Sequence, residues 1–227
     1  MLPWTLLGEA TLPGSSELMR LYRRGGEYAI RVGTQELMNS RVHASEDALG
    51  ALACERLDAR KIRVLIGGLG MGYTLAATLA CAGREAEVVV GELVPAVVEW
   101  NRGPLADLAG RPLDDPRVVV RVEDVVDIIR SERGGFDAIL LDVDNGPSAF
   151  TTSTNNRLYS MTGLRAAHAA LRPGGIYAVW SSGGDAAFTR KLQQAGFTSA
   201  EEVRVRGRTA TKGSRFLIWV AQKAKER

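Results

Sequence analysis

A run of glycines and a set of carboxylates carry the chemistry legible in this chain. Residues 62–72 read Ile-Arg-Val-Leu-Ile-Gly-Gly-Leu-Gly-Met-Gly. A β-branched apolar run thus breaks into Gly68-x-Gly70-x-Gly72 and then into a helical pattern. Glycines adopt positive φ and carry no Cβ, so a ligand can approach such a turn closely. A dinucleotide loop needs a small residue where Tyr73 stands, and a tyrosine blocks close helix–strand packing. Glu92 ends the next apolar run, at about the twenty-residue spacing of a carboxylate that holds ribose hydroxyls. Loop and acid together predict a nucleoside site that lacks a pyrophosphate.

Other polar groups end the later apolar runs. They are Glu123-Asp124, then Asp142 with Val143-Asp144-Asn145-Gly146-Pro147, then Trp180-Ser181-Ser182. In an open parallel sheet, ligands bind beyond the carboxyl ends of the strands. Taken singly, each acid reads as a helix N-cap, Glu123 and Asp124 above all. Gathered on one rim, they make an acidic pocket that repels polyphosphate and suits a cation. No Gly-Lys-Ser/Thr accompanies the loop. S-adenosylmethionine and its decarboxylated form fit such a rim. Each has a sulfonium charge, a ribose for Glu92 and an adenine amino group that can donate to Asp124. Tyr159 and Trp180 flank the expected acceptor side, where core packing explains them equally well. His168 falls in an amphipathic helix and reads as structural. His43 precedes the helix that opens near Ser45, where a substrate loop could fold over.

The elements that must position these groups follow from hydrophobic periodicity. Before residue 44, short alternating pieces (17–23 and 27–32), separated by Gly25-Gly26 and Gly33, predict a small antiparallel hairpin or meander. From Ser45, Ala48, Leu49, Leu52, Ala53 and Leu57 share one helical face. Strands at 62–66, 86–91, 117–122, 137–142 and 175–181 then alternate with helices at 71–82, 94–102, 123–131, 157–171 and 184–195. Two strands near 200–207 and 215–222 close the chain. Continuous apolar runs such as Val88-Val89-Val90 indicate strands buried on both faces. The expectation is a Rossmann-like, seven-stranded, mostly parallel sheet with helices on both faces. Its domain spans 44–227, and a small N-terminal β-hairpin appendage spans 1–43.

The order of motifs carries a resemblance. The glycine loop is followed by Gly91-Glu92-Leu93-Val94-Pro95-Ala96-Val97-Val98-Glu99, Asp115-Pro116-Arg117-Val118 and Glu123-Asp124. Phe136-Asp137-Ala138-Ile139-Leu140-Leu141-Asp142, Leu158-Tyr159 and Leu171-Arg172-Pro173-Gly174-Gly175 come next. Over about residues 60–195 this resembles the class I S-adenosylmethionine-dependent methyltransferase fold. Within that fold it resembles the spermidine synthase family of aminopropyltransferases. The resemblance implies that Gly68, Leu69, Gly70 and Gly72 line the nucleoside. Glu92 with Leu93 then holds the ribose, and Glu123 and Asp124 reach the adenine. It implies that Asp142, which also borders the donor, is the catalytic acid, with Asp144 or Asn145 and Tyr159 facing the acceptor. A primary amine would attack the carbon beside the sulfonium, with Asp142 holding the ammonium and helping to remove its proton. No metal is required, and a homodimer is the implied assembly.

The departures bear on the acceptor. The family's loop reads Gly-Gly-Gly-Asp-Gly-Gly, and Gly70 stands where its Asp grips the substrate amine. The second acid of Asp-x-x-Asp-Pro falls on Asn145, or on Asp144 after a one-residue slip. The Tyr-x-Glu-Met segment has no match in Gln35-Glu36-Leu37-Met38-Asn39. A diamine needs a carboxylate at each end, because an unpaired buried charge is costly. That tells against putrescine. A true methyltransferase is the alternative, since space beside Gly70 could take an amino-acid tail. A non-catalytic nucleoside- or polyamine-binding homologue is another, and Tyr73 tells against an NAD-dependent oxidoreductase.

The bulk figures exclude little but exclude it cleanly. A chain of 227 residues holds one large domain, or one with an appendage. A net charge of +3 gives no case for nucleic acid. The basic residues near the end (Arg204, Arg206, Arg208, Lys212, Arg215, Lys223, Lys225 and Arg227) read as a solvated edge strand and terminus, with an anion or RNA contact as the alternative. Cys54 and Cys81 lie in apolar helical stretches and read as small buried hydrophobes. No Cys/His cluster has metal spacing, and no run reaches transmembrane length. A cytoplasmic protein acting on a small molecule is expected.

Overall fold

The computed structural model describes residues 2–57, 61–143, 156–206 and 215–226. Four antiparallel strands open the chain: β1 (Thr5–Thr11), β2 (Leu18–Arg24), β3 (Glu27–Val32) and β4 (Gln35–Asn39), paired in that order. The appendage is therefore a four-stranded meander rather than a single hairpin. β1 escapes the sequence pattern because it is an edge strand, exposed at most positions, so no alternation marks it. β4 is short and has no buried residue to mark it.

Helix α1 (Ala44–Arg56) leads into the regular alternation. It runs β5 (Arg63–Gly67), α2 (Tyr73–Cys81), β6 (Glu87–Gly91), α3 (Pro95–Arg102), β7 (Val118–Arg121) and α4 (Val125–Ser131). It continues through β8 (Phe136–Leu141), α5 (Asn156–Tyr159), α6 (Met161–Ala170), β9 (Leu171–Ser181) and α7 (Ala186–Gln194) to β10 (Ser199–Arg206) and β11 (Arg215–Gln222). The seven later strands form one sheet in the order β10-β11-β9-β8-β5-β6-β7. β11 is antiparallel to both neighbours, and the other strands run parallel. This is the expected seven-stranded, mostly parallel architecture. The antiparallel strand lies one place in from the edge because it pairs with β10 as well as β9.

The apolar runs are buried on both faces of the sheet, as parallel strands require. Val64 and Ile66 of β5 pack with residues of α1, α2 and α3. Leu65 between them packs with α4, α6 and α7. Met19, Leu21 and Ile30 of the meander join the first of these layers.

One element contact departs from expectation. Cys54 of α1 and Cys81 of α2 are joined in a disulfide, with Cα atoms 5.9 Å apart. They are not two separate small hydrophobes. Gly50 makes this approach possible, since a Cβ there would fall 2.6 Å from the Thr74 carbonyl oxygen. Among the described residues no helix is long and apolar enough to cross a membrane.

Candidate active site

Chain order reverses at β5, with β6 and β7 on one side and β8 and β9 on the other. A crevice beyond the carboxyl ends of the strands forms at such a switch point. The backbone continues the ladder just past the strands. Gly68 N–H donates to Gly91 O at 2.8 Å, Asp142 N–H to Gly67 O at 2.9 Å, and Glu92 N–H to Arg121 O at 3.0 Å. The glycine loop, Glu92 and Asp142 therefore stand side by side.

The loop needs its glycines. Gly68 has φ +88° and Gly70 φ +53°. A Cβ on Gly68 would also lie 2.5 Å from the Asp142 carbonyl oxygen. Asn101, buried on α3, donates from Nδ2 to the Gly70 carbonyl at 2.9 Å and so holds the loop down. Nothing in the sequence singled it out, because a lone asparagine late in a helix carries no spacing signal.

Glu92 is 7% exposed. Its Oε2 accepts from Leu69 N–H at 2.9 Å and its Oε1 from Val94 N–H at 2.8 Å. Burial pushes its pKa up, opposed by those backbone amides. The carboxylate ties the glycine loop to the start of α3, with the backbone amides of Leu93 and Gly70 also acting on it. Leu93 and Val122 follow adjacent strands and leave 41% and 51% of their surface exposed. They leave apolar surface exposed at the strand ends, next to Glu92 and Glu123. Asp124 caps α4, its Oδ1 accepting from Val126 N–H at 2.8 Å. Its Oδ2 lies 3.8 Å from Arg157 Nη1, and Glu123 pairs with Arg121.

The other half of the crevice is acidic and aromatic. Asp142 Oδ2 accepts from the Thr74 hydroxyl at 2.6 Å. That hydroxyl also lies 3.4 Å from the carbonyl oxygen of Glu46. Desolvation, then the negative charge of Glu46, pushes Asp142 up to about 7, while the Thr74 hydrogen bond pulls the other way. Burial raises the Glu46 pKa as well, against the lowering effect of the Ser45 hydroxyl. Glu46 is the acid that sequence reasoning missed. An acid in the first turn of a helix has an ordinary explanation in the helix dipole, so only its neighbours reveal it.

Tyr73, too large for a dinucleotide turn, has a different task. Its ring stacks on His43 with centroids 4.0 Å apart and planes 9° apart. Its hydroxyl lies 3.3 Å from the Ser40 carbonyl oxygen. Burial and the charges of Asp47 and Glu46 push that hydroxyl up to about 12. Tyr73 thus fastens the link between β4 and α1 over the start of α2. The room expected beside Gly70 is filled, because a Cβ there would lie 2.9 Å from Met38 Cε and 3.2 Å from Met38 Sδ.

Tyr159 is not brought to the acids. It is buried in the layer on the other face of the sheet, edge-on to Phe188 at 5.8 Å. His168 packs edge-on to Phe197 at 5.1 Å, far along α6. Trp180 lies one residue past Val179, which pairs with Leu141, and so neighbours Asp142 at the strand ends. Its ring tilts against Phe216 at 5.5 Å. Asp144 and Asn145 lie outside the described residues.

A seven-stranded sheet of this order, with a glycine loop at its switch point, is the class I methyltransferase-like fold. Solved structures that the chain resembles include spermidine synthases. Spermidine synthase from Thermotoga maritima superposes over 97% of this chain and 73% of its own, with a TM-score of 0.76 at 16% identity. A spermidine synthase solved with the transition-state analogue AdoDATO gives 0.74 at 16% identity, with the same coverage. A probable spermidine synthase from Corynebacterium glutamicum gives 0.64 at 18% identity, over 96% of this chain and 79% of that one. In sequence, 124 residues are 36% identical to the polyamine aminopropyltransferases of Mycobacterium tuberculosis and Mycobacterium bovis. That stretch is 53% of this chain and only 22% of those proteins. No family model matches the chain. The resemblance read from the motifs is borne out by these likenesses.

Proposed function

We propose that this chain is a spermidine synthase-like transferase. It would bind decarboxylated S-adenosylmethionine and pass the aminopropyl group to an amine. The observation that carries this reading is the pairing of two unlike half-sites around one glycine loop. Glu92, Leu93 and Val122 suit a nucleoside, and Asp142 with Glu46 suits an ammonium. The 36% identity to polyamine aminopropyltransferases supports the same reading.

The residues divide the work as follows. Gly68, Leu69, Gly70 and Gly72 let the thioether lie against the backbone. Glu92 accepts from the ribose hydroxyls, and Asp124, with Glu123 near it, receives the adenine amino group. Asp142 and Glu46 draw the acceptor ammonium to the rim, and Asp142 takes its proton. The freed nitrogen lone pair forms a bond to the carbon beside sulfur. The carbon–sulfur bond breaks, its electrons return to sulfur, and methylthioadenosine leaves. A group titrating near 7 suits that proton transfer at neutral pH. The rest of the catalysis is placement of nucleophile and leaving group in line.

A methyl-transferring reading needs room for an amino-acid tail. The aminopropyl chain of the decarboxylated donor follows the same path without the carboxylate, so Met38 over Gly70 bears on both donors alike, and the 36% identity to polyamine aminopropyltransferases is what favours the decarboxylated one. Calorimetry separates the cases. Methylthioadenosine is expected to bind at least tenfold more tightly than S-adenosylhomocysteine, and NAD not at all. The reverse order would establish the methyltransferase. Tight methylthioadenosine binding with no turnover of any amine would leave a binding protein.

A further inference from the structure

The two helices behind Asp142 run side by side from the rim to a disulfide. On α1, Glu46, Gly50 and Cys54 recur at four-residue spacing and share one face. On α2, Thr74, Thr78 and Cys81 share another. The two faces meet along their length. Glu46 O lies 3.4 Å from the Thr74 hydroxyl. A Cβ on Gly50 would fall 2.6 Å from Thr74 O and 2.9 Å from Thr78 N. The Cys54–Cys81 bond closes the far end, about 10 Å from Thr74 at 1.5 Å for each residue of helix. Cys81 is exposed and Cys54 half-buried, so a thiolate reaches the bond from solvent. α2 is anchored at that end without the bond, because Arg117 donates to the carbonyl oxygens of Leu79, Ala82 and Gly83 at 3.1, 2.8 and 3.2 Å. α1 has there the exposed Arg56–Glu201 ion pair, a weak tie. Its N-cap, His43, gives it no side-chain hydrogen bond.

Resting on the transfer reading above, we infer that the Cys54–Cys81 bond is a redox-modification site, opened by a dithiol, that controls the acceptor half of the crevice. One thiolate of the dithiol attacks Cys81 Sγ and expels Cys54 as thiolate. The second attacks the reductant's own sulfur in that mixed disulfide, which frees Cys81 and closes the reductant into a cyclic disulfide. The dithiol loses two electrons, and its two protons pass to the cysteines. Two free thiols cannot stay at bonding distance, so α1 rocks on Gly50 against the anchored α2. Glu46 lies four residues beyond that pivot, and its charge acts on Asp142. Thr74 stays with α2, and the glycine loop, Glu92 and Asp124 do not ride on α1. The full chain is compared oxidised and after dithiothreitol. 1-Aminobutane and 1,4-diaminobutane are titrated into each form by calorimetry with saturating methylthioadenosine. Amine affinity is expected to fall by about tenfold on reduction, the scale of one charged contact, with methylthioadenosine affinity unchanged. Oxidised glutathione is expected to restore it, and Cys54→Ser/Cys81→Ser to match the reduced chain and ignore dithiothreitol. Amide hydrogen exchange over residues 44–52 needs no ligand, and it is expected to speed up several-fold on reduction while β5 does not change. Amine affinity equal in the two forms overturns the inference, as does unchanged exchange over 44–52 or a bond that dithiothreitol leaves intact in the native chain. An equal loss of methylthioadenosine affinity also overturns it, because the effect is then general loosening. Absence of amine binding in both forms, with exchange still faster on reduction, counts against the transfer reading instead and leaves the switch standing.

Discussion

Asp142 is the residue whose surroundings say most about chemistry, and its titration has two consequences of opposite use. Its pKa rises from 3.8 to about 7, so the folded protein favours the neutral acid. Stability from this group is complete below pH 4 or so and is lost as pH rises through about 7, because the native state then holds the proton more firmly than the unfolded chain. Asp142→Asn removes the burden of the buried charge. Its melting temperature should exceed that of the wild-type chain at pH 8, and the gap should close towards pH 4. Turnover should move the other way, rising with pH through about 7 in the wild-type chain and lost in the variant. Glu92 makes a different prediction. Glu92→Gln keeps the shape but replaces one oxygen that accepts from a buried amide with a donor. Methylthioadenosine affinity should fall by about ten- to a hundredfold, the scale of a charged hydrogen bond. An unchanged affinity in calorimetry would remove Glu92 from the nucleoside site. At this scale the sequence was half informative. Glu92 and Asp142 end long apolar runs, and position alone exposes them. Glu46, Asn101 and Met38 act only through neighbours distant in the chain, so no local spacing could mark them.

The two helices behind those residues form the next scale. α1 carries Glu46, whose charge acts on Asp142, and α2 carries Thr74 in its first turn, whose hydroxyl donates to Asp142. Gly50 lets the helices touch, and the Cys54–Cys81 bond closes a loop with a sequence separation of 27. On the chain-entropy account such a crosslink stabilises by about 3–4 kcal/mol. Replacing both cysteines by serine should lower the denaturation free energy by that order, read from urea unfolding. The same bond bears on location, since glutathione keeps most cytosolic thiols reduced. Alkylation of the native protein in fresh lysate should leave both cysteines unlabelled if the bond forms in the cell, and labelling of both would contradict it. Most elements were legible because their apolar runs alternate with helical periodicity, β5 through β9 above all. β1 was not, since an exposed edge strand leaves no pattern. The disulfide was not, since two cysteines in apolar helices look like packing until the helices are placed side by side.

At the scale of the molecule, the sheet order brings the glycine loop, Glu92 and Asp142 side by side at one rim, and the meander reaches it through Met38, Ser40 and the link to α1. The division at 43/44 is proposed as architecture and not as independent folding. Met19, Leu21 and Ile30 share a buried layer with Leu49 and Ile66, so thermal unfolding should show a single transition. Two separate transitions would mark the meander as autonomous. The homodimer remains a proposal, for which light scattering gives the mass directly. The central claim is transfer of an aminopropyl group, and one measurement reaches it most directly. The chain is incubated with decarboxylated S-adenosylmethionine and a panel of primary mono- and diamines, and both products are quantified by mass spectrometry. The account predicts methylthioadenosine and one aminopropylated amine in equal amounts, with neither formed by Asp142→Asn. Formation of S-adenosylhomocysteine from S-adenosylmethionine, with no methylthioadenosine from the decarboxylated donor, would contradict it.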